Sequence, residues 1–144
     1  MAEPVRVLVD VNVILDVVAK REPHYAASAR VWAAIEVGRA KGIIAAHGVT
    51  TLYYLISRQL GPKSANVIIG ELLSVFEVAT VDGGVLVAAL ALGWPDFEDA
   101  VQMTAAASAG ADYLVTRNVR DFKSGVVSVV TPDAFSALVT ATRQ

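Results

Sequence analysis

The segment VRVLVD, residues 5–10, is a short run rich in valine that ends on a bare carboxylate. Such a run reads as a buried β-strand. Two later acidic clusters fall at comparable junctions. WPDFEDA, residues 94–100, opens a helical stretch, and TRNVRDF, residues 116–122, follows the short apolar run YLV. Acids at successive strand and helix junctions are how an open α/β sheet assembles a divalent-metal site in the crevice at the carboxyl edge of its strands. The pattern points to metal-assisted chemistry on a phosphate substrate.

Between these clusters, strand-like runs alternate with helical spacing. A helix is predicted from Asn12, as its cap, through Val18, and a longer one over residues 25–41, ended by Gly42. GIIAAHG reads as a strand running into a turn that brings His47 to its end. TTLYYLISRQLG has helical period, with Leu52, Leu55, Ile56 and Leu60 on one stripe. Gly61-Pro62 breaks it, and a new helix is predicted over residues 63–73. Residues 75–81 read as a strand, Asp82 caps a helix to Leu92, and Gly93 stops it. Asp96 begins a helix to Ala109, YLVT is expected as a strand at the middle of the sheet, and VVSVVT is followed by a terminal helix from Thr131-Pro132. This alternation calls for one domain over residues 1–144, with a three-layer α/β/α arrangement and a mostly parallel central sheet.

With 144 residues, 55% of them hydrophobic, the chain can bury a sizeable core. A formal charge of −2, from 12 basic and 14 acidic residues, neither marks nor excludes a nucleic-acid binder. The absence of cysteine removes disulfides, thiolate nucleophiles and cysteine-ligated zinc. No apolar stretch is long enough for a membrane span. Asp10, Asn12 and Asp16 interrupt the first apolar run, and no signal-peptide cleavage pattern follows. Neither a phosphate-binding GxxxxGK[ST] loop, a dinucleotide fingerprint nor a nucleophile elbow is present.

Each acidic residue carries two readings. Asp10 is either the cap of the next helix or a ligand pointing into the crevice. Asp16 is either solvated or salt-bridged to Arg6 or Arg21, in a structural or supporting role. Asp96 and Asp99 have the spacing of a capping box. The same i, i+3 spacing puts two like charges on one helix face, which is unfavourable unless a cation or donor compensates. Asp99 is the stronger ligand candidate, because capping accounts for Asp96, and Glu98 is expected to face solvent. Asn118 offers an oxygen to a metal or its water, or forms a turn. Asp121 either completes the acidic ring or caps a turn. Thr116 can orient a carboxylate or touch phosphate, and Arg117 and Arg120 can meet a polyanionic backbone. His24 and His47 form no ligand pair. Trp32, Trp94, Tyr53 and Tyr54 read as core or interface residues rather than base-stacking platforms.

VLVDVNVILD, DFEDAVQMTAA and YLVTRNVRDF, in this order and at these separations, resemble the PIN-domain family, and among its members the VapC-like toxin ribonucleases of VapBC toxin-antitoxin systems. The likeness runs from Val7 to about Phe135. It implies a parallel sheet flanked by helices and a magnesium- or manganese-dependent acidic centre that cuts RNA. Residue by residue, the first family acid falls at Asp10, the acid of DFEDA at Asp99 with Asp96 beside it, and the last at Asn118, with Asp121 in the trailing DF. Asn12, Thr51, Thr116 and Arg117 lie at supporting or substrate-facing positions. The chain departs from the family pattern twice: Thr51 stands where a glutamate is common on the helix after the second strand, and Asn118 is an amide. Both changes remove anions from the cation site.

The resemblance also implies a cytoplasmic homodimer with a cognate antitoxin and an RNA substrate. Apolar residues Leu52, Leu55, Ile56, Val67 and Ile68 are either candidates for the dimer face or ordinary buried residues. Two rival functions follow from the same residues. The missing acids at positions 51 and 118 suit a degenerate PIN domain that binds RNA or protein without cutting. An aspartate after the first strand also suits a small-substrate phosphatase-like domain, against which the placement of DFEDA and TRNVRDF argues.

Overall fold

In the computed structural model, residues 3–122 and 125–142 are described. The strands are β1 (Val5–Val9), β2 (Ala40–Ala45), β3 (Glu77–Ala79), β4 (Tyr113–Val115) and β5 (Ser128–Val130). The helices are α1 (Val11–Val18), α2 (Tyr25–Glu36), α3 (Ala46–Leu60), α4 (Pro62–Val75), α5 (Gly83–Ala91), α6 (Phe97–Ser108) and α7 (Pro132–Thr142). A short 3-10 turn spans Val119–Asp121. The sheet order is β3-β2-β1-β4-β5, and every pairing is parallel.

The alternation in β1 explains the layers. Val7 and Val9 face one core, shared with Ile44 and Val115 and with apolar residues of α1, α2, α3, α4 and α7. Leu8 faces the other, with Ile43, Ala45, Leu114 and residues of α5 and α6. A parallel sheet covered on both faces needs apolar residues on both sides of its strands, and β1, β2 and β4 supply them. Small side chains Ala100, Ala105 and Ala106 are buried on α6 and let that helix approach the sheet closely.

The strand order places the functional edge. From β1 the chain winds outward through β2 to β3. It then crosses under the sheet by α5 and α6 and resumes beyond β1 at β4. The gap between the carboxyl ends of β1 and β4 is therefore a topological switch point, where open α/β sheets bind ligands. The opposite edge is closed by Arg6, the one charged residue in β1. Its guanidinium donates to Glu77 Oε1 at 3.2 Å, Glu77 Oε2 at 2.9 Å and the Ala109 carbonyl at 2.8 Å. Its backbone N–H donates to Asp112 Oδ2 at 2.9 Å. The bond from Arg6 holds the Glu77 carboxyl below its ordinary range.

Several expectations change. Helix α2 ends at Glu36 rather than residue 41, because Gly38 turns the chain with φ +83° and Ala40 pairs with Val5. His47 lies in the first turn of α3, not at a strand end. Asn12 is inside α1. The N-cap position belongs to Asp10, whose side chain makes no cap bond. The middle strand is β1, with β4 beside it. Of the proposed dimer face, Leu52 and Ile56 are core residues, Leu55 and Ile68 pack against that core, and only Val67 is well exposed. The caps at Asp82 and Asp96 form as expected, accepting from Val85 N at 3.0 Å and Asp99 N at 3.1 Å.

Gly42 sits where β2 passes beneath Ile35 and Phe76. A Cβ there would lie 2.8 Å from both the Ile35 methyl and the Phe76 ring. Gly42→Ala is expected to destabilise the protein by about 1–3 kcal/mol through overpacking. A urea titration with unchanged slope and a lower midpoint is the supporting result, and an unchanged midpoint is the contrary one.

Candidate metal centre at the strand switch point

Asp10 follows β1 directly, and its backbone N–H continues the ladder by donating to the Val115 carbonyl at 3.0 Å. The residue is only 5% exposed. A carboxylate so buried needs donors. Gln102 Nε2 donates to Oδ1 at 3.0 Å, and Thr116 Oγ1 donates to Oδ2 at 2.8 Å. Both donors are buried. Thr116 in turn accepts from the Asn118 backbone N–H at 3.2 Å. One carboxylate thus ties the end of β1 to the middle of α6 and to the segment after β4. Each Asp10 oxygen retains acceptor capacity beyond its one protein donor.

Helix α6 brings the second group. Asp96 caps it and Asp99 stands in its first turn. Burial pushes the Asp99 carboxyl up to about 7, and the negative charges of Asp96, Asp10, Asp121 and Glu98 push in the same direction. Four aspartates from three distant segments therefore share one field. Asp96, Asp99 and Asp121 line an open cleft of about 400 Å³ with Pro95 and Arg120. Asp121 lies in the 3-10 turn, its N–H bonded to the Asn118 carbonyl at 3.0 Å.

The other candidates fall into two groups. Asn118 is exposed beside Thr116. Thr51 turns its hydroxyl back onto the His47 carbonyl at 3.2 Å, so α3 sends no carboxylate toward the site from that position. Glu98 is exposed, as expected, and its Oε2 lies 3.6 Å from His47 Nε2. Burial lowers the His47 pKa, and Glu98 opposes that shift. Asn12 Oδ1 accepts from Arg21 at 3.3 Å, and Arg117 pairs with Asp16 at 2.7 Å. Asp16 is fully buried rather than solvated, and it pairs with Arg21 and Arg117, not Arg6. Gln102 is absent from the sequence reading. The one amide in the apolar stretch AVQMTAAA, three residues beyond Asp99, was the available sign of it.

Among the described residues, no three acidic or imidazole side chains enclose a ready-made ion position. The donors are nonetheless hard oxygens, and the crowding at Asp99 is the charge imbalance that a divalent cation relieves.

The raised Asp99 pKa fixes a pH dependence. The folded state binds the Asp99 proton up to about 7, whereas the unfolded chain releases it near 3.8. Between these values the folded state holds more protons, so the Asp99 contribution makes stability fall as pH rises from about 4 to about 7. In chelator-treated protein, Asp99→Asn is expected to raise Tm at neutral pH and leave it nearly unchanged below pH 4. Equal effects at both pH values would contradict the assignment.

The PIN-domain family profile matches residues 6–120. No curated protein sequence matches the chain. Among solved structures, the fold is similar to that of VapC20 from Mycobacterium tuberculosis, a sarcin-ricin-loop-cleaving toxin. There the identity is 16% and the TM-score 0.62, over 75% of this chain and 86% of that one. It is also similar to DNA-bound VapBC from Salmonella typhimurium, with 18% identity, TM-score 0.66 and coverage of 89% and 98%. A toxin-antitoxin complex from Klebsiella pneumoniae gives 20% identity, TM-score 0.66 and coverage of 88% and 97%. With its family match across most of the sequence and its parallel sheet carrying clustered aspartates at the switch point, the chain belongs to the PIN-domain family.

Proposed function

We propose that this protein is a magnesium- or manganese-dependent endoribonuclease and the toxin of a toxin-antitoxin pair. The observation that carries the reading is the Asp99 carboxyl, held near neutrality by burial and by Asp96, Asp10 and Asp121. A site so crowded with anions favours a hard divalent cation, and family membership supplies the nuclease context. Asp10 and Asp99 would hold the ion, with Asn118 as a neutral oxygen donor. When bound, such an ion activates water and offsets charge developing on a phosphodiester.

The chain's own residues set the conditions for that chemistry. Gln102 and Thr116 fix both oxygens of Asp10, so its carboxylate is oriented before any ligand arrives. Asp99 keeps a proton near pH 7 unless a positive charge compensates, which couples cation binding to proton release. Asp96 is committed to the helix cap and sharpens the local field. Asp121, which lines the same cleft, adds negative charge.

The similar structures from Salmonella and Klebsiella are toxin-antitoxin assemblies, which supports an antitoxin partner here. No helix among the described residues is long and apolar enough to cross a membrane. A homodimer remains part of the proposal, without the buried Leu52 and Ile56 as its face. A second reading, an RNA-binding PIN domain without cleavage, is favoured by Thr51, whose side chain serves its own helix where a further acid would sit.

A cleavage assay on single-stranded RNA with magnesium or manganese separates these readings. The nuclease leaves 5′-phosphate and 3′-hydroxyl ends, loses activity in chelator, and at sub-saturating metal cuts faster as pH rises toward 7, because Asp99 must lose its proton to hold the ion. Asp10→Asn and Asp99→Asn are expected to abolish cleavage. Gln102→Leu should slow it by about 10–100-fold through misorientation of Asp10. RNA binding without cleavage at any pH selects the second reading. Wild-type rates in both Asp variants remove the metal centre altogether.

A further inference from the structure

We propose that Asp16 fixes Arg21 and Arg117 as a paired clamp for the phosphate backbone of the bound strand. The identity of that strand as RNA rests on the nuclease reading. Asp16 has no exposed surface. Arg21 Nε lies 3.2 Å from Oδ1, Arg117 Nε lies 2.7 Å from Oδ2, and Ser28 Oγ donates to Oδ2 at 3.2 Å. The two arginine contacts are charge pairs, since neither Nε–H is aligned for a hydrogen bond. They come from different parts of the chain, one just after α1 and the other just after β4.

The charge count argues for more than a staple. A buried carboxylate needs one cation for neutrality. Here it has two, and one positive charge is left over. Both Nε atoms are buried, yet the side chains of Arg21 and Arg117 retain 40% and 22% exposure. Among the described residues, the terminal nitrogens of Arg117 have no protein partner. Arg21 spends one of its own on Asn12 Oδ1 at 3.3 Å. The planar forks, the parts that match phosphate oxygens, thus remain available.

Their place matches the task. Arg117 directly follows Thr116, whose hydroxyl holds Asp10, and Asn12 lies two residues beyond Asp10. Arg117 also lines a cleft of about 220 Å³ with His24, Ser28 and Asp133, whose carboxylate is paired with Arg30 at 2.8 Å. An acidic centre in a chain of net charge −2 repels a polyanion. A basic pair fixed beside it offsets that repulsion and sets the strand's position. Asp16 is a positioning residue, and the two arginines bind substrate.

The test uses anisotropy of a short labelled single-stranded RNA, with calcium in place of magnesium so that the strand binds uncut, over a potassium chloride series. Arg21→Gln and Arg117→Gln are each expected to weaken binding and to flatten the slope of log Kd against log salt by about 0.7, the loss of one phosphate contact. Arg117→Lys restores the slope but not the full affinity, and it serves where the glutamine variant does not fold. Asp16→Asn weakens binding with both arginines still present. Thermal melts run alongside: wild-type affinity and slope in the folded arginine variants, whatever their Tm, overturn the clamp and leave a structural staple. Magnesium-dependent cleavage of the same RNA reports separately on the nuclease reading. Slope loss without cleavage keeps the clamp and removes the nuclease, whereas cleavage with unchanged slopes does the reverse. An RNA that the wild-type protein does not bind overturns both.

Discussion

A single buried carboxylate, Asp10, joins the centre of the sheet to its functional edge. It emerges from β1, the middle strand, and is held by Gln102 from α6 and Thr116 from the segment after β4. Hydrogen bonds to a charged group are worth about 1.5–3 kcal/mol each, and leaving such a group unsatisfied costs more. The three segments are therefore locked together at the point where the strand order reverses. Apolar packing of α6 against Leu8 sets the helix on the sheet, and the bonds to Asp10 fix the polar end of that contact beside the acids at the start of α6.

Charge is then divided around Asp10. On the α6 side, burial of Asp99, with the charges of Asp96, Asp10 and Asp121 added to it, raises its carboxyl to about 7. On the α1 side, Asp16 gathers Arg21 and Arg117. The far edge of the sheet is sealed by Arg6 with Glu77 and Asp112, so its charges are already spent on structure. The carboxyl edge thus places acidic and basic groups close together on the two sides of Asp10. That is the arrangement a metal-assisted phosphodiester cleavage needs: anions for the cation, and cations for the strand.

Much of this was legible in the sequence because it depends on local pattern. The valine-rich run ending in Asp10 marks β1 and the switch-point edge, and Asp82 and Asp96 announce their helices by capping chemistry. What escaped depends on long-range pairing. Gln102 acquires meaning only when α6 lies against β1 and its amide reaches Asp10, 92 positions away. The pairing of Asp16 with Arg21 is a local one that the sequence offers, whereas its pairing with Arg117, about a hundred positions on, needs the fold. The proposed dimer stripe failed for a related reason: Leu52 and Ile56 have the spacing of an apolar face, and periodicity alone does not say whether a partner or the chain's own core covers it. The end of α2 was misplaced because Gly38, not Gly42, takes the positive φ that stops the helix.

The central claim is that crowded carboxylates at the switch point form one electrostatic unit awaiting a divalent cation. Carbon-detected NMR titration of the Asp99 side-chain carboxyl measures this directly. The account predicts an apparent pKa near 7 in chelator-treated protein, well above the ordinary 3.8, and a marked fall when magnesium is added. A titration near 3.8 that ignores magnesium would contradict it.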